Sequence, residues 1–285
     1  MIYKNLVFEG GGAKSVAFCG ALKYLEEKDR LKDVVGLAGS SSGAMTAGLV
    51  SVGYTCEEIE NVYKTTNFNK FKDDSFGIIG DAIRLVRKYG IFKGDKFYDW
   101  YGEMLKNKIG NPDITFKEVY DNYNKILVVT GTNVNKRKVV YFNHENYPNI
   151  PIRLAVRISI SLPILFRSVE FEGDQYVDGG LLDNYPIWYF NEETLGFKLV
   201  NDNEKRDSLI TYNDEKINNI KDFAENIIES LLQQIERLHV KEDYWERTIT
   251  INTLGVQTTD FDLDEIIKNK LIEEGYNETK KFFEN

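Results

Sequence analysis

Val34-Val35-Gly36-Leu37-Ala38-Gly39-Ser40-Ser41-Ser42-Gly43-Ala44-Met45 holds the pattern on which the fold turns. A short apolar run breaks at a glycine, passes through three serines to a second glycine, and resumes at helical spacing through about Val52. This reads as a strand, a tight turn and a helix. The unit upstream repeats that order. Leu6-Val7-Phe8 runs into Gly10-Gly11-Gly12, and Ala13 to Lys28 then places Val16, Ala17, Gly20, Ala21, Tyr24 and Leu25 at helical spacing. Two consecutive strand–helix units predict an α/β fold: a central, mainly parallel sheet between helices, in three α/β/α layers.

Further along, Lys125–Thr130, Lys138–Phe142 and Thr248–Asn252 read as strands. Pro151–Ile160 reads as a helix with proline near its first position. Val169–Glu172 and Gln175–Val177 flank Gly173-Asp174 as a hairpin. Residues 56–110 read as mostly helical. Ile217–Val240 reads as a long amphipathic helix with Ile220, Phe223, Ile227, Leu231, Ile235 and Leu238 on one stripe. Asp264–Phe283 is the last expected helix, and residues 201–219 the expected exposed loop. No linker-like composition divides the chain, so residues 1–285 are expected to form a single domain.

Gly39-Ser40-Ser41-Ser42-Gly43 fits G-x-S-x-G, the pattern of a nucleophile elbow. A turn that tight needs Gly39 and Gly43, and it lifts the Ser41 hydroxyl to a helix N-terminus, where developing negative charge is favoured. The same residues also suit a plain helix-capping turn. Gly10-Gly11-Gly12-Ala13-Lys14 sits at the other strand–helix junction and offers backbone N–H groups to an anion. A Walker loop needs glycine where Ala13 stands, and a dinucleotide fingerprint needs glycine where Ser15 stands. Neither nucleotide motif closes, which leaves a cradle suited to an oxyanion. Asp178-Gly179-Gly180 follows the strand-like Gln175-Tyr176-Val177 and places a carboxylate at a strand end, although Asp-Gly alone also marks ordinary turns.

The 36 Lys and Arg against 45 Asp and Glu give a net charge of −9, which argues against nucleic acid as a partner. Two cysteines, Cys19 and Cys56, imply no disulfide framework, and no Cys/His cluster has zinc-ligand spacing; no metal or other cofactor is expected. No run reaches the roughly 18 apolar residues of a membrane span. With no apolar signal segment at the N-terminus, the expected location is the cytoplasm.

Taken together, the glycine-rich loop, the serine elbow and the D-G-G resemble the signature of the patatin-like phospholipase family. Outlying stretches extend the resemblance over nearly the whole chain. Ala155-Val156-Arg157-Ile158-Ser159-Ile160-Ser161-Leu162-Pro163-Ile164-Leu165-Phe166 is similar to the family's A-x-x-A-S-x-x-x-P-x-x-F, with Ile158 at a position usually small. Asn184-Tyr185-Pro186-Ile187 resembles N-x-P-[VI], and Gly90-Ile91-Phe92-Lys93-Gly94-Asp95 resembles G-[LI]-x-x-G-D. Thr258-Thr259-Asp260-Phe261 is similar to a stretch of bacterial members. Ser40 stands where threonine is commoner.

The resemblance implies a Ser–Asp dyad without histidine. Ser41 would be the nucleophile, Asp178 its base, and the N–H groups of Gly10, Gly11 and Gly12 the oxyanion hole. Lys14 matches the basic position of the glycine motif. The implied activity is hydrolysis of fatty acyl esters through an acyl-enzyme, with a phospholipid or another acyl-ester lipid as substrate. Transfer of the acyl group to an alcohol and a catalytically silent lipid-binding module stay open as alternatives.

Two histidines exist, His144 and His239. The order Ser41, Asp178, His239 would suit an α/β-hydrolase triad, but His239 falls near a helix end. His144 lies in a polar loop, from which a transacylase-like pairing with Ser41 is conceivable. The dyad is the favoured reading. Lys64–Phe97 carries eight Lys/Arg against four Asp, interleaved with Phe68, Phe71, Phe76, Ile91 and Phe92. Peripheral membrane contact there is one reading; a helical cap with its apolar face turned to the core is the other.

Overall fold

The computed structural model describes residues 2–72, 89–200 and 242–284, with a few positions between 217 and 231. The helix expected over Ile217–Val240, His239 within it, the loop expected over 201–219 and the middle of the Lys64–Phe97 segment lie wholly or mostly outside those residues.

Strand β1 (Asn5–Phe8) leads through a 3₁₀ turn (Gly12–Val16) into helix α1 (Ala17–Glu27). Strand β2 (Gly36–Gly39) leads into α2 (Ser41–Ser51). Next come α3 (Cys56–Thr65), β3 (Gly90–Phe92), α4 (Asp95–Ile109) and α5 (Phe116–Tyr123). The long strand β4 (Ile126–Asn133) turns back as β5 (Lys138–Phe142). Helix α6 (Ile152–Ser159) precedes β6 (Ile164–Phe166) and the hairpin of β7 (Val169–Phe171) and β8 (Asp174–Asp178). Strand β9 (Thr194–Val200), α7 (Glu242–Trp245), β10 (Thr248–Asn252) and α8 (Glu265–Glu284) complete the described elements.

The main sheet runs β10-β9-β1-β2-β4-β8-β7, with β5 also on β4. Strands β10, β9, β1, β2 and β4 are mutually parallel, whereas β5, β7 and β8 join antiparallel. The architecture is the expected one: a mostly parallel sheet flanked by helices. In β1, Leu6 and Phe8 enter the core that α1 and α2 share, while Val7 points to the opposite face with Ala38, Val128, Tyr185 and Ile187. Both faces are covered, which explains why these strands read as continuous apolar runs.

Several elements differ from the sequence reading. Helix α1 begins at Ala17, because Gly12–Val16 winds as 3₁₀. Gly90-Ile91-Phe92 lies in the region read as mostly helical but is a strand, paired parallel with β6 in a separate two-stranded sheet. Pro151 sits one residue before its helix, at φ −61° and ψ 135°, the conformation of an N-cap.

The order of strands places the site. The C-terminal ends of β1 and β2 lie side by side in register, Phe8 opposite Gly39, so both glycine-bearing turns leave the same edge of the sheet. A topology of this kind opens its crevice at the carboxyl ends of the strands. Rings beneath the first turn fix its base: Phe8 stacks on Phe197 of β9 at 5.2 Å and meets Phe18 of α1 edge-on at 5.3 Å.

Candidate active site

Ser41 opens α2 with φ +51°, a left-handed value that costs a non-glycine residue energy. The turn is that tight because α2 starts directly over β1. A Cβ on Gly43 would stand 2.3 Å from the Phe8 carbonyl oxygen, and one on Gly39 would stand 2.4 Å from the Gly43 carbonyl carbon. Glycine is required at both flanks, as G-x-S-x-G predicts. The strained residue is held from the far side: its N–H donates to Ser159 Oγ at the end of α6, at 2.8 Å. Its surroundings leave Ser41 nearly buried.

Asp178 closes β8, whose pairing with β4 puts it opposite Gly131. Its N–H donates to the Ser161 carbonyl at 2.9 Å, and its Oδ1 accepts the Gly180 N–H at 2.7 Å. Oδ2 is buried with no hydrogen-bond partner among the described residues. Burial pushes the carboxyl up to about 7 from the ordinary 3.8, with the Gly180 N–H and then the Ser41 hydroxyl opposing the rise. The Ser41 hydroxyl is thus near enough to favour the ionised carboxylate, although the two groups form no hydrogen bond.

The glycine loop is tied to the Asp178 segment by a reciprocal pair of bonds. Asn184 Nδ2 donates to the Gly10 carbonyl at 2.9 Å, and the Gly10 N–H donates to the Asn184 carbonyl at 3.1 Å. Of the three N–H groups expected to face an oxyanion, two therefore have acceptors within the protein. That of Gly10 goes to Asn184, and that of Gly11 to Ser42 Oγ at 3.0 Å. The N–H of Gly12 has no hydrogen-bond partner among the described residues. Gly12 sits at φ +54° with the Thr258 carbonyl oxygen 2.1 Å from where a Cβ would be, so only glycine fits there. Lys14 is buried, its side chain packed beneath Gly11.

A narrow apolar slot of about 70 Å³ opens on Gly12, Ser41 and Ser42. Met45 of α2, Tyr63 of α3, Phe97 of α4, Leu162, Phe166 and Phe261 line it. An alcohol on a strained turn, a carboxylate that titrates near neutrality, an open N–H and an apolar slot converge here. That combination has the parts needed for acyl transfer.

The remaining candidates fall elsewhere. His144 stacks on Tyr120 of α5 with centroids 4.2 Å apart, and it makes no hydrogen bond to Ser41 or Asp178. Of the described aromatics in Lys64–Phe97, Phe71, Phe92 and Phe97 are buried, and Phe68 and Phe71 line the slot. Among the described residues no helix is long and apolar enough to cross a membrane.

Sequence reasoning missed a buried ion pair under the loop. Lys198 Nζ of β9 lies 2.5 Å from Glu9 Oε1, and Glu9 Oε2 accepts the Leu199 N–H at 2.7 Å. It also missed what the C-terminal loop does: the Thr258 carbonyl accepts the Ala13 N–H at 3.1 Å, and Phe261 walls the slot.

A family model described as patatin-like phospholipase matches residues 6–191. The chain belongs to the patatin-like phospholipase family. The matched span holds Ser41, Asp178 and both glycine-bearing turns, whereas Thr258 and Phe261 lie beyond it. The Bacillus subtilis protein YqhO is 27% identical over 300 residues, covering 99% of this chain and 98% of YqhO. The probable lipid hydrolase 463L of Invertebrate iridescent virus 6 is 31% identical over 186 residues, 65% of this chain and 62% of that protein. Among solved structures, VipD from Legionella pneumophila superposes with a TM-score of 0.69 at 18% identity, covering all of this patatin-like chain and 67% of VipD. At that identity the match speaks for the fold.

Proposed function

We propose that this protein hydrolyses fatty acyl esters of lipids, phospholipids foremost, through a Ser41–Asp178 dyad. The observation that carries the reading is the strained Ser41, open to an apolar slot and near a buried Asp178 whose Oδ2 has no hydrogen-bond partner among the described residues. The name of the viral relative, a probable lipid hydrolase, supports the same substrate class.

In this mechanism the acyl chain occupies the slot, each buried methylene contributing about 0.8 kcal/mol. Substrate binding excludes water and draws Ser41 Oγ onto Asp178 Oδ2. Catalytic hydrogen bonds commonly tighten in this way. As Oγ attacks the ester carbonyl carbon, its proton passes to Oδ2. The carbonyl oxygen becomes an oxyanion facing the Gly12 N–H at the helix N-terminus. Collapse expels the alcohol portion of the lipid, which takes the proton from Asp178. Water then attacks the acyl-Ser41 ester, with Asp178 again accepting a proton; the C–Oγ bond breaks as that proton passes to Ser41 Oγ, and the fatty acid leaves. A carboxylate that titrates at about 7 is a better base than an ordinary one and is still largely ionised in mildly alkaline solution.

A panel of phospholipids and neutral glycerides with mass spectrometry of the products tests the reading. The expected products are free fatty acid and the deacylated lipid, absent with Ser41→Ala and retained with His144→Ala. Fatty acid released by Ser41→Ala at the wild-type rate would contradict it. Acyl groups recovered on an added alcohol in place of water would favour the transferase alternative.

A further inference from the structure

Ser42, the residue after the proposed nucleophile, holds a hydrogen-bond arrangement that the dyad does not account for. Its Oγ accepts the Gly11 N–H at 3.0 Å and lies 2.6 Å from Ser15 Oγ. Either hydroxyl could donate in the second contact; both serines are buried, but Ser42 borders the slot and Ser15 does not. Ser15 is 0% exposed, and Ser42 Oγ is the single hydrogen-bond contact of its hydroxyl among the described residues. A buried O–H without an acceptor costs about 1–3 kcal/mol, and only Ser42 borders space that a further acceptor could enter, so Ser15 is taken as the donor to Ser42. Ser42 Oγ has two lone pairs. One receives the Gly11 N–H and the other the Ser15 O–H, which leaves the Ser42 proton without an acceptor among the described residues. Ser42 lines the slot together with Ser41 and Gly12.

We infer that the Ser42 hydroxyl is a side-chain donor to the oxyanion, acting beside the Gly12 N–H. Gly11 then serves the reaction through Ser42 rather than by direct contact. The two bonds that Ser42 accepts orient its proton and make it a stronger donor, because hydrogen bonds in a chain polarise one another. This rests on the reading of Ser41 as nucleophile. A developing oxyanion is the acceptor the arrangement lacks in the resting state.

The test compares wild type, Ser42→Ala, Ser42→Thr and Ser15→Ala on a soluble p-nitrophenyl butyrate substrate. It also measures affinity for a trifluoromethyl ketone that forms a hemiketal oxyanion with the nucleophile. Loss of one oxyanion donor costs about a hundredfold or more in kcat. Ser42→Ala is expected to lose that factor with KM little changed, and to lose a matching factor in affinity for the ketone. Ser42→Thr keeps the hydroxyl and should recover most of both; Ser15→Ala should show a smaller loss. Turnover of Ser42→Ala at or above the wild-type rate, as expected if a released Gly11 N–H served directly, would overturn the inference. So would a loss of kcat with ketone affinity unchanged. Mapping of a fluorophosphonate adduct separates the two readings. An adduct away from Ser41 in the wild type strikes the dyad, whereas adducts on Ser41 forming equally fast in wild type and Ser42→Ala strike the Ser42 role alone.

Discussion

Asp178→Asn is expected to lower turnover by about 10²–10⁴-fold, the contribution of a positioned general base, and to leave a protein that melts at a higher temperature than wild type at pH 8. The amide keeps an oxygen for the Gly180 N–H, which Asp178 Oδ1 now accepts at 2.7 Å, so the turn after β8 should survive. What it removes is the acceptor of the Ser41 proton and a buried charge. The sign follows from the raised value. Asp178 titrates at about 7 in the folded protein, against an ordinary 3.8. Its contribution to stability is therefore fully present below about pH 4 and is lost as pH rises through 7. Above pH 7 the wild type carries the cost of a desolvated carboxylate and the Asn variant does not, while at pH 4 the two should melt alike. In the wild type kcat/KM should rise with pH through about 7 to a plateau, because the base must be ionised in the free enzyme. An Asn variant that turns over at the wild-type rate, or melts lower than wild type at pH 8, would contradict this account of Asp178.

The largest expected effect on stability comes from Glu9, next to the glycine loop. Its carboxylate and Lys198 are almost fully enclosed, with side chains 0% and 6% exposed. Replacing one partner of such a pair leaves the other charge desolvated without its counter-ion and costs about 3–5 kcal/mol. Glu9→Gln should lower stability by that amount in urea unfolding. It should also impair turnover, since Gly10 follows directly. Replacing both residues, Glu9→Leu with Lys198→Met, removes the buried charges together and should recover most of the stability. Glu9→Gln as stable as wild type would show that the pair does not hold the ends of β1 and β9.

The parts of the site legible in the sequence are those whose chemistry is local. Gly39 and Gly43 declare a turn that admits no Cβ, and the apolar run before them with the helical spacing after them places that turn between β2 and α2. Asp178 is legible because a strand pattern ends on it and two glycines follow. The partners of these groups lie far off along the chain. Ser159, which fixes the Ser41 peptide, is 118 residues away, and Lys198 is 189 residues from Glu9. No periodicity links such positions, and each alone looks like an ordinary serine or lysine. The strand Gly90–Phe92 escaped for a similar reason: three residues carry no alternation, and it exists through its pairing with Ile164–Phe166. Helix α5 had a local signal, the capping box of Thr115 and Glu118, which hydropathy spacing alone passes over.

The central claim is that Ser41 attacks and Asp178 accepts its proton. Reaction with a fluorophosphonate, followed by peptide mapping and by the rate of adduct formation across pH, tests it most directly. The account predicts a single adduct on Ser41, forming faster as pH rises through about 7, absent in Ser41→Ala and slowed at least about a hundredfold in Asp178→Asn. An adduct on Ser40, Ser42 or another residue, or a rate on Ser41 that Asp178→Asn leaves unchanged, would contradict it.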